Sequence, residues 1–221
     1  MADTQTFLFA DLAGYTALTE AHGDERAAEL AGDFFSCVRE LLDRHAAEEV
    51  KTIGDAMMLR AERADAAIAL GLEIVDAVDA QEWFPTVRVG MSTGEAIEQD
   101  GDWFGSTVNL AARIAGVAGG GEVLLSEATR KTADAMEGVE FQRHGEVRLR
   151  NVPGPMLLYR VVRLGAEQRE ELPVDPVCRM TVAANASLGR LIHEGIEYHF
   201  CSLECAAAFA RNPAAYATLG E

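Results

Sequence analysis

The stretch Val50-Lys51-Thr52-Ile53-Gly54-Asp55-Ala56-Met57-Met58 predicts a β-hairpin. Apolar and β-branched residues stand on both sides of a Gly-Asp pair, a pattern typical of two short strands joined by a tight turn. Lys51 is one of only two lysines among 19 Lys and Arg residues. Its position favours a site that needs a compact cationic donor instead of the planar fork of arginine. Asp55, taken alone, is explained by turn chemistry, so any further role depends on the rest of the chain.

The composition is that of an ordinary globular protein, and 221 residues allow one full domain and a small second one. No window approaches the length of about 18 apolar residues that a membrane span needs. The first residues lack the basic and then apolar pattern of a secretory signal, so we expect a cytoplasmic protein with no membrane association. The net charge of −17 leaves no basic block to neutralise nucleic-acid phosphates. A phosphate-containing ligand must therefore be bound by a few placed cations and by metal ions.

Hydrophobic patterns along the chain predict an α+β fold built on a mixed or antiparallel sheet. Strands are expected near 6–10, 50–60 as a hairpin, 86–97, 122–125, 139–143, 145–150 and 157–163. Helices are expected from Thr16, then near 24–45, 64–80, 105–117 and 126–135, with Asp24 as the cap of the second. The charged stretch 165–173 predicts a linker between a first domain, 1–164, and a compact module, 174–221.

Two acidic residues stand where a predicted strand meets a turn. Asp11 follows the apolar run 7–10, and Asp55 lies in the hairpin turn. Carboxylates at neighbouring strand ends can bind one or two hard cations such as Mg²⁺, and two such ions suit phosphoryl transfer. Gly14 and Thr16 then begin a helix whose first backbone amides are available to a phosphate. Together these residues predict a metal and phosphate site.

The predicted helix 105–117 carries Asn109 and Arg113 four residues apart, so they share one face. They form either an ordinary polar outer face or a pair of donors for a ribose and a developing phosphorane charge. Lys51 and Asp102 are complementary to adenine, because an ammonium donates to the ring nitrogen N1 and a carboxylate accepts from the exocyclic amine. Guanine would mismatch both groups. If these residues contact a base, they favour ATP over GTP.

Three segments resemble the signature blocks of class III adenylyl cyclases: Phe9-Ala10-Asp11-Leu12-Ala13-Gly14-Tyr15-Thr16, Glu49-Val50-Lys51-Thr52-Ile53-Gly54-Asp55 and Asp102-Trp103-Phe104-Gly105-Ser106-Thr107-Val108-Asn109-Leu110-Ala111-Ala112-Arg113. The order and spacing agree over about 5–164. The resemblance implies a ferredoxin-like βαββαβ sandwich, ATP as substrate, and cyclic AMP and pyrophosphate as products. It also implies two Mg²⁺ or Mn²⁺ ions per active site.

The resemblance further implies a role for each matching residue. These roles are metal binding by Asp11 and Asp55, adenine selection by Lys51 and Asp102, transition-state stabilisation by Asn109 and Arg113, and terminal-phosphate binding by Arg150, with Arg148 as the alternative.

The resemblance implies active sites at the interface of a homodimer, and the hairpin gives a reason for this. Lys51 and Asp55 flank one tight turn, yet the first must contact the base and the second the metal at the far end of the nucleotide. Two chains solve this if Asp11 and Asp55 come from one subunit and Lys51, Asp102, Asn109 and Arg113 from the other. Since one chain carries both sets, a two-fold dimer has two composite active sites, and a monomer should be inactive.

The segments Asp175-Pro176-Val177-Cys178-Arg179-Met180 and Tyr198-His199-Phe200-Cys201-Ser202-Leu203-Glu204-Cys205 resemble a YHS domain, a small module related to Cys-rich metal-binding units. Arg179 stands where that family usually has glycine. Cys201 and Cys205 lie four residues apart at a predicted helix start and, with Cys178, can form a three-thiolate site for Zn²⁺ or Cu⁺. His193 and His199 both remain open as a fourth ligand. The alternative is that the cysteines are small buried residues of a tiny core.

The sequence therefore predicts a homodimeric adenylate cyclase with an appended metal-binding module, whose metal occupancy is hypothesised to regulate the enzyme. A guanylate cyclase and a catalytically weak, metal-responsive dimeric scaffold are the alternatives.

Overall fold

The structure is a computed structural model that describes residues 4–133, 136–165, 172–183 and 185–217. In chain order its strands and helices are β1 (Thr4–Leu12), α1 (Tyr15–His22), α2 (Asp24–Leu42), β2 (Ala47–Ile53), β3 (Ala56–Ala61), α3 (Ala64–Asp79), β4 (Val87–Glu95), β5 (Ile97–Gln99), β6 (Asp102–Phe104), α4 (Ser106–Ala115), β7 (Val123–Ser126), α5 (Glu127–Thr132), β8 (Val139–Arg148), β9 (Pro155–Arg163), β10 (Gly189–His193), β11 (Ile196–Phe200) and α6 (Leu203–Arg211).

A seven-stranded sheet in the order β2-β3-β1-β4-β7-β9-β8 forms the centre of the molecule. Strands β4 and β7 run parallel, whereas the other neighbouring pairs are antiparallel. The order β1, α1 with α2, β2, β3, α3, β4 confirms the predicted βαββαβ arrangement, with two helices in the place of the first. The α+β class is therefore also confirmed.

Helices cover both faces of the sheet, and this explains the unbroken apolar run of β1. Successive side chains of a strand point to opposite faces. Leu8 belongs to the core formed with α2 and α3, whereas Phe7 and Phe9 belong to the core formed with α4. A strand that is buried on both faces does not alternate apolar and polar residues. The apolar run of β1 therefore agrees with its place inside the sheet, between β3 and β4.

Helix α4 lies unusually close to the sheet because β4 has a glycine beneath it. A Cβ added at Gly90 would lie 1.9 Å from the backbone nitrogen of Ala115. Any side chain at this position would push the helix away from the strand. Gly90 therefore sets the height of the helix that carries Asn109 and Arg113.

Three predictions about element boundaries were wrong. Helix α2 ends at Leu42 instead of near His45, where a 3₁₀ turn follows and Ala46 takes a left-handed φ of 46°. Asp24 is the first residue of α2, and its cap is Gly23. The two strands expected near 139–143 and 145–150 are the single strand β8, with a register shift between Arg143 and Gly145. A bulge adds a residue without ending a strand, so the break in alternation was misleading.

The C-terminal module, residues 172–183 and 185–217, consists of the hairpin β10–β11 and helix α6. It packs on the connection between α3 and β4. The backbone of Thr181 accepts from Trp83 N at 3.1 Å and donates to Phe84 O at 2.8 Å, and Arg179 O accepts from Thr86 N at 3.3 Å. The predicted linker lies largely outside the described residues. Within the described ranges, no helix combines the length and apolarity that a membrane crossing needs.

Candidate active site and thiol cluster

Asp11 and Asp55, the carboxylate pair, meet at the end of β1. Asp11 is paired with Ala56 across β1 and β3, so the preceding turn places Asp55 beside it. Burial, and then the negative charge of Asp11, raise the pKa of Asp55 to about 6. Two facing carboxylates in a half-buried site repel each other unless a proton or a cation lies between them. The donor set of two carboxylates fits a hard divalent cation such as Mg²⁺ or Mn²⁺.

Arg88 is a residue of this site that the sequence analysis missed. It lies opposite Asp11 in the β1–β4 register, and its Nε and Nη2 donate to Asp11 Oδ2 at 2.9 and 2.6 Å. The guanidinium orients Asp11 and offsets part of the negative charge of the carboxylate pair. The available sequence signal was a single arginine between Val87 and Val89, in a strand whose other residues are mostly buried.

Lys51 and Asp102 are in direct contact although 51 residues separate them in sequence. Lys51 Nζ donates to Asp102 Oδ2 at 2.5 Å, across strands β2 and β6. This hydrogen bond, followed by one from the backbone of Trp103, lowers the pKa of Asp102. The ammonium also lies 5.8 Å from the centre of the Phe104 ring. The two proposed adenine-selecting groups therefore form one partly exposed ion pair.

Asn109 and Arg113 are exposed on the outer face of α4, opposite the buried Val108 and Ala111. The predicted shared face is thus confirmed, and both side chains point away from the core of their own chain. A groove of about 250 Å³ runs between α4 and the carboxylate pair. Its lining residues are Phe9, Asp11, Ile53, Ala56, Ala112, Ala115 and Gly116.

The remaining predicted phosphate-binding residues are divided between two places. Gly14 precedes α1 with a left-handed φ of 75°, and Thr16 is exposed in the first turn of this helix. Arg150 is exposed in the turn after β8, the edge strand four positions from β1. Four strand spacings amount to roughly 19 Å. Within one chain, Arg150 is therefore remote from Asp11, and its role stays a prediction.

A thiol cluster forms in the C-terminal module from Cys178, Cys201 and Cys205. Cys201 Sγ lies 3.4 Å from Cys178 Sγ and 3.7 Å from Cys205 Sγ, and all three side chains are buried as free thiols. The Nε2 atom of His22, in the last turn of α1, lies 3.4 Å from Cys201 Sγ. The four ligand atoms are all within 4.8 Å of one another. Three sulfurs and an imidazole are a donor set that Zn²⁺ accepts.

Asp175 joins the two segments that carry the cysteines. Its side chain is fully buried; Oδ1 accepts from Val177 N, and Oδ2 accepts from Cys201 N, both at 2.8 Å. Burial is the main cause that raises the pKa of this carboxyl. Ser202 caps α6 by accepting from Cys205 N at 3.1 Å. These bonds fix the backbone under two of the three sulfurs, so the cluster is preformed.

Hydrogen bonding among the sulfurs shifts the pKa values of the three thiols in different directions. Hydrogen bonds from Cys178 and then from Cys201 lower the pKa of Cys205. The hydrogen bonds with Cys201 and Cys205, followed by burial, raise the pKa of Cys178. Three buried thiolates in mutual contact need a cation to balance their charge. Three buried sulfurs and an imidazole in mutual contact fit a metal ion better than an apolar core.

The histidines that the sequence offered as a fourth ligand lie elsewhere. His193 stacks edge-on against Phe209, with ring centres 5.9 Å apart, and His199 Nδ1 lies 3.4 Å from Ser187 Oγ. His22 takes the place beside the sulfurs instead. No sequence signal could have identified it, because 179 residues separate it from Cys201.

Arg179, where the resemblance led us to expect glycine, has a left-handed φ of 64°. This conformation costs a residue with a Cβ free energy that glycine does not lose, which explains the usual glycine. The side chain of Arg179 lies over Gly14, since a Cβ added there would be 2.5 Å from Arg179 Cγ. The module therefore contacts the turn that precedes α1.

Comparison with known proteins gives two family matches. The family described as "Adenylate and Guanylate cyclase catalytic domain" matches residues 1–163, and the family described as "YHS domain" matches residues 174–219. The first match covers well over half of the chain, and the second covers the segment that carries the thiol cluster.

Among relatives, a pH-sensitive adenylate cyclase of Mycobacterium tuberculosis is 38% identical over 161 residues, which are 72% of this chain and 40% of that protein. An adenylate cyclase of Streptomyces griseus is 37% identical over 62% of this chain and 33% of its own length. The chain thus spans only a third to two fifths of these relatives. A solved adenylate cyclase structure from Trypanosoma brucei, described in its monomeric state, has a TM-score of 0.67 at 25% identity, covering 74% of this chain and 90% of that one.

Proposed function

Because the chain belongs to the family of adenylate and guanylate cyclase catalytic domains, we propose that it is an adenylate cyclase, which converts ATP into 3′,5′-cyclic AMP and pyrophosphate. The observation that favours ATP over GTP is the contact of 2.5 Å between Lys51 and Asp102, because it places the two groups side by side. Adenine offers an acceptor at N1 and a donor at the exocyclic amine, which match the ammonium and the carboxylate. Guanine offers the opposite pattern at both positions, so each group would face a mismatch.

The carboxylate pair is proposed to bind two Mg²⁺ or Mn²⁺ ions in each active site. Such ions, when bound, supply positive charge that polarises the phosphates and makes the 3′-hydroxyl of the ribose more acidic. Arg88 keeps Asp11 oriented toward this site through its two hydrogen bonds. The backbone amides that follow Gly14 face the same phosphates at the start of α1, with Thr16 beside them. Arg150 is assigned to the terminal phosphate.

The reaction is an in-line displacement within one ATP molecule. The 3′-oxygen attacks the α-phosphorus, the bond from that phosphorus to the pyrophosphate oxygen breaks, and the 3′-hydroxyl proton passes to solvent. Asn109 would orient the ribose, and Arg113 would stabilise the negative charge that develops at the phosphorus. Positioning and charge account for the catalysis, so no side chain is needed as a dedicated general base.

We also propose that the enzyme is a two-fold homodimer with composite active sites. In one chain, Asn109 and Arg113 point outward from α4, as they must if they serve the carboxylate pair of a second chain. Apolar side chains beside the Lys51 hairpin support this face as the interface, because Ile53, Ile97 and Phe104 are 50%, 65% and 50% exposed. Apolar clusters of this kind on a surface typically mark protein contacts.

The chain is proposed to divide into a catalytic domain, 1–164, a linker, 165–173, and a YHS domain, 174–221. The buried thiol cluster supports metal binding by the YHS domain, with Zn²⁺ or Cu⁺ as the candidate ions. The contact of Arg179 with Gly14 supports a regulatory role, because the module lies directly against the turn that leads from Asp11 into α1.

A complementation experiment tests activity and composite sites together. The purified chain is incubated with ATP or GTP and Mn²⁺ or Mg²⁺, and the cyclic nucleotide is quantified. Asp55→Ala and Arg113→Ala should each be inactive, since each spoils both sites of a homodimer. Mixed in equal amounts, they should recover about a quarter of normal activity, because half of the dimers are then mixed and each has one intact site.

Each outcome of that assay has a distinct meaning. Recovery of cyclic AMP on mixing supports both the enzyme and the dimer. If the wild type is active but mixing the two variants restores no activity, the composite site is overturned. Cyclic GMP as the main product would overturn the substrate assignment. A folded dimer that yields no product with either nucleotide would leave the scaffold alternative in place of the enzyme.

A further inference from the structure

We propose that His22 of the catalytic domain is the fourth ligand of the metal bound by the thiol cluster, so that one Zn²⁺ ion joins the two domains. The inference rests on the proposed metal site of the YHS domain and extends it. The ligand atoms are His22 Nε2 and the Sγ atoms of Cys178, Cys201 and Cys205. Three come from the C-terminal module, and the fourth comes from the end of α1.

The distances among these atoms suit a four-coordinate ion. Zn–S bonds of about 2.3 Å in a tetrahedron place neighbouring sulfurs about 3.7 Å apart. The two sulfur–sulfur distances are 3.4 and 3.7 Å, and His22 Nε2 lies 3.4 Å from the middle sulfur. The largest separation among the four, 4.8 Å at most, leaves the ion room to enter and draw the ligands inward.

The position of His22 is set by contacts that do not involve the sulfurs. Arg179 lies over Gly14, the residue that precedes α1, and Met180 pairs with Pro85 in an isolated β-bridge. These contacts dock the module against the start of α1 and against the connection between α3 and β4. The thiol cluster therefore faces the last turn of α1 through the docking itself, and no rearrangement is needed to bring the imidazole to the ion.

The chemistry of the donors favours zinc over harder ions. Three thiolates and one neutral imidazole form a set of soft and borderline ligands, which is typical of closed, four-coordinate structural zinc sites. Such a site has no open position for a substrate. Its role is to hold two pieces of protein together.

A bridging ion would connect the module to the catalytic turn through a rigid element. Helix α1 runs from Tyr15 to His22, eight residues or about 12 Å, and Gly14 and Asp11 lie just before it. With zinc bound, the helix is fixed at its end by His22, while Arg179 contacts the residue before its start. Metal occupancy is then sensed three residues from a catalytic carboxylate.

The experiment uses the reduced chain, with Co²⁺ as a spectroscopic probe and Zn²⁺ as its competitor. The wild-type chain should bind one ion with sulfur-to-cobalt charge-transfer bands and the strong visible bands of a tetrahedral site. His22→Ala should weaken Zn²⁺ affinity by at least about 10- to 100-fold, the loss typical of removing even a residue that supports a ligand. His193→Ala and His199→Ala are matched controls and should bind as the wild type does.

A conservative change distinguishes ligation from mere packing. His22→Cys supplies a fourth sulfur, so it should restore tight binding and strengthen the sulfur-to-cobalt bands, which a purely structural role of the imidazole would not do. Circular dichroism of the metal-free variants checks that each is folded.

Two different failures are separable in this design. If His22→Ala binds Zn²⁺ as tightly as the wild type, or if His193→Ala or His199→Ala is the weakened variant, the inter-domain site is overturned, while the metal site of the YHS domain stands. If the wild-type chain shows no sulfur-to-cobalt bands and Cys178→Ser changes nothing, the module has no metal site and both ideas fail. The cyclase assay is independent of either result.

Discussion

The carboxylate pair and the thiol cluster are two candidate metal sites built on opposite principles. The carboxylate pair consists of two hard oxygen donors from one hairpin and one neighbouring strand, and it borders an open groove. The thiol cluster consists of soft sulfur donors that are all buried, and its imidazole comes from a helix 156 positions before the first cysteine. An open site with few ligands suits turnover of a substrate, whereas a closed site suits structure.

This difference in burial also sets the electrostatics of the two sites. Asp55 is half-buried, and its raised pKa comes from burial and from Asp11, so it remains available to a proton from solvent. The sulfurs satisfy one another by hydrogen bonding and lower the pKa of Cys205. The first site is therefore expected to respond to pH near neutrality, and the second to metal supply.

The largest expected effect distinguishes the ligands of the two sites. Asp55→Ala should lower cyclase turnover by about 100-fold or more, the cost typical of losing one electrostatic contact to a transition state. It should leave Zn²⁺ affinity at the thiol cluster unchanged. Cyclic AMP production and cobalt spectra of the same preparations provide the measurement.

Cys178→Ser is the matched variant for that test, because it alters the thiol cluster and leaves the carboxylate pair intact. It should weaken Zn²⁺ binding while the Mn²⁺ dependence of turnover keeps its midpoint. If Asp55→Ala altered the cobalt spectrum, or Cys178→Ser shifted the Mn²⁺ midpoint, the two sites would not be independent.

The next largest effect is expected from substitutions of Lys51 and Asp102, the residues proposed to select adenine. Lys51→Ala and Asp102→Ala should each reduce kcat/KM for ATP by about tenfold or more, because each removes a hydrogen bond to or from a charged group and leaves its partner without the 2.5 Å contact. The low basal rate with GTP should not fall. Steady-state kinetics with both nucleotides measure this, and an equal loss with ATP and GTP would contradict base selection.

The pH dependence of stability is a test of the carboxylate pair in the absence of metal. The pKa of Asp55 rises from 3.8 to about 6 on folding, so the folded state binds the proton more tightly than the unfolded state. The stability contributed by this proton is present below pH 4 and is lost between about pH 4 and 6. Asp55→Asn should therefore gain in melting temperature over the wild type through this window and keep a constant advantage above it.

Thermal melts in a chelator between pH 4 and pH 8 measure that difference. Asp65→Asn is a suitable control, because the hydrogen bond from Arg63 lowers the pKa of Asp65 below its usual value of 3.8. Its titration therefore lies below this range, and its difference in melting temperature from the wild type should stay nearly constant. A difference between Asp55→Asn and the wild type that does not change with pH would contradict the raised pKa.

The smallest expected effect concerns the contact between the two regions. Gly14→Ala should destabilise the chain by about 1–2 kcal/mol, since alanine is strained at a φ of 75° and its Cβ would lie 2.5 Å from Arg179 Cγ. Part of this cost should disappear in the Arg179→Gly background. A double-mutant cycle measured by urea denaturation gives the coupling, and additive effects would contradict the docking of the module on α1.

Local sequence patterns identified most of the residues of the candidate active site. The Gly-Asp hairpin, the apolar run before Asp11 and the four-residue spacing of Asn109 and Arg113 are all features of neighbouring residues, and the structure keeps each as predicted. Lys51 and Asp102 were grouped by their common fit to adenine, and the structure adds that the two side chains are in direct contact. The positions of the residues proposed to bind metal and to select the base thus follow from short segments and from the chemistry of one ligand.

Arg88 and the single strand β8 were harder to predict. The partner of Arg88 is decided by the antiparallel register of β1 and β4, and the composition of β4 does not determine that register. The bulge near Gly145 interrupts the alternation of β8, although the hydrogen-bonded ladder continues on both sides. The alternation of a sequence indicates which face of a sheet each side chain points to, whereas the continuity of a strand depends on its hydrogen bonds to the partner strand.

The sequence by itself determined the α+β class, the carboxylate pair, the residues proposed to select adenine and the three cysteines, because each lies in a short segment whose residue types indicate its chemistry. Only the tertiary structure decided that His22 completes the thiol cluster, that Arg88 orients Asp11, and that Arg179 lies over Gly14. These contacts join residues 77 to 179 positions apart. They arise from the way the module docks and the sheet is ordered, and the burial of apolar surface over the whole chain determines both.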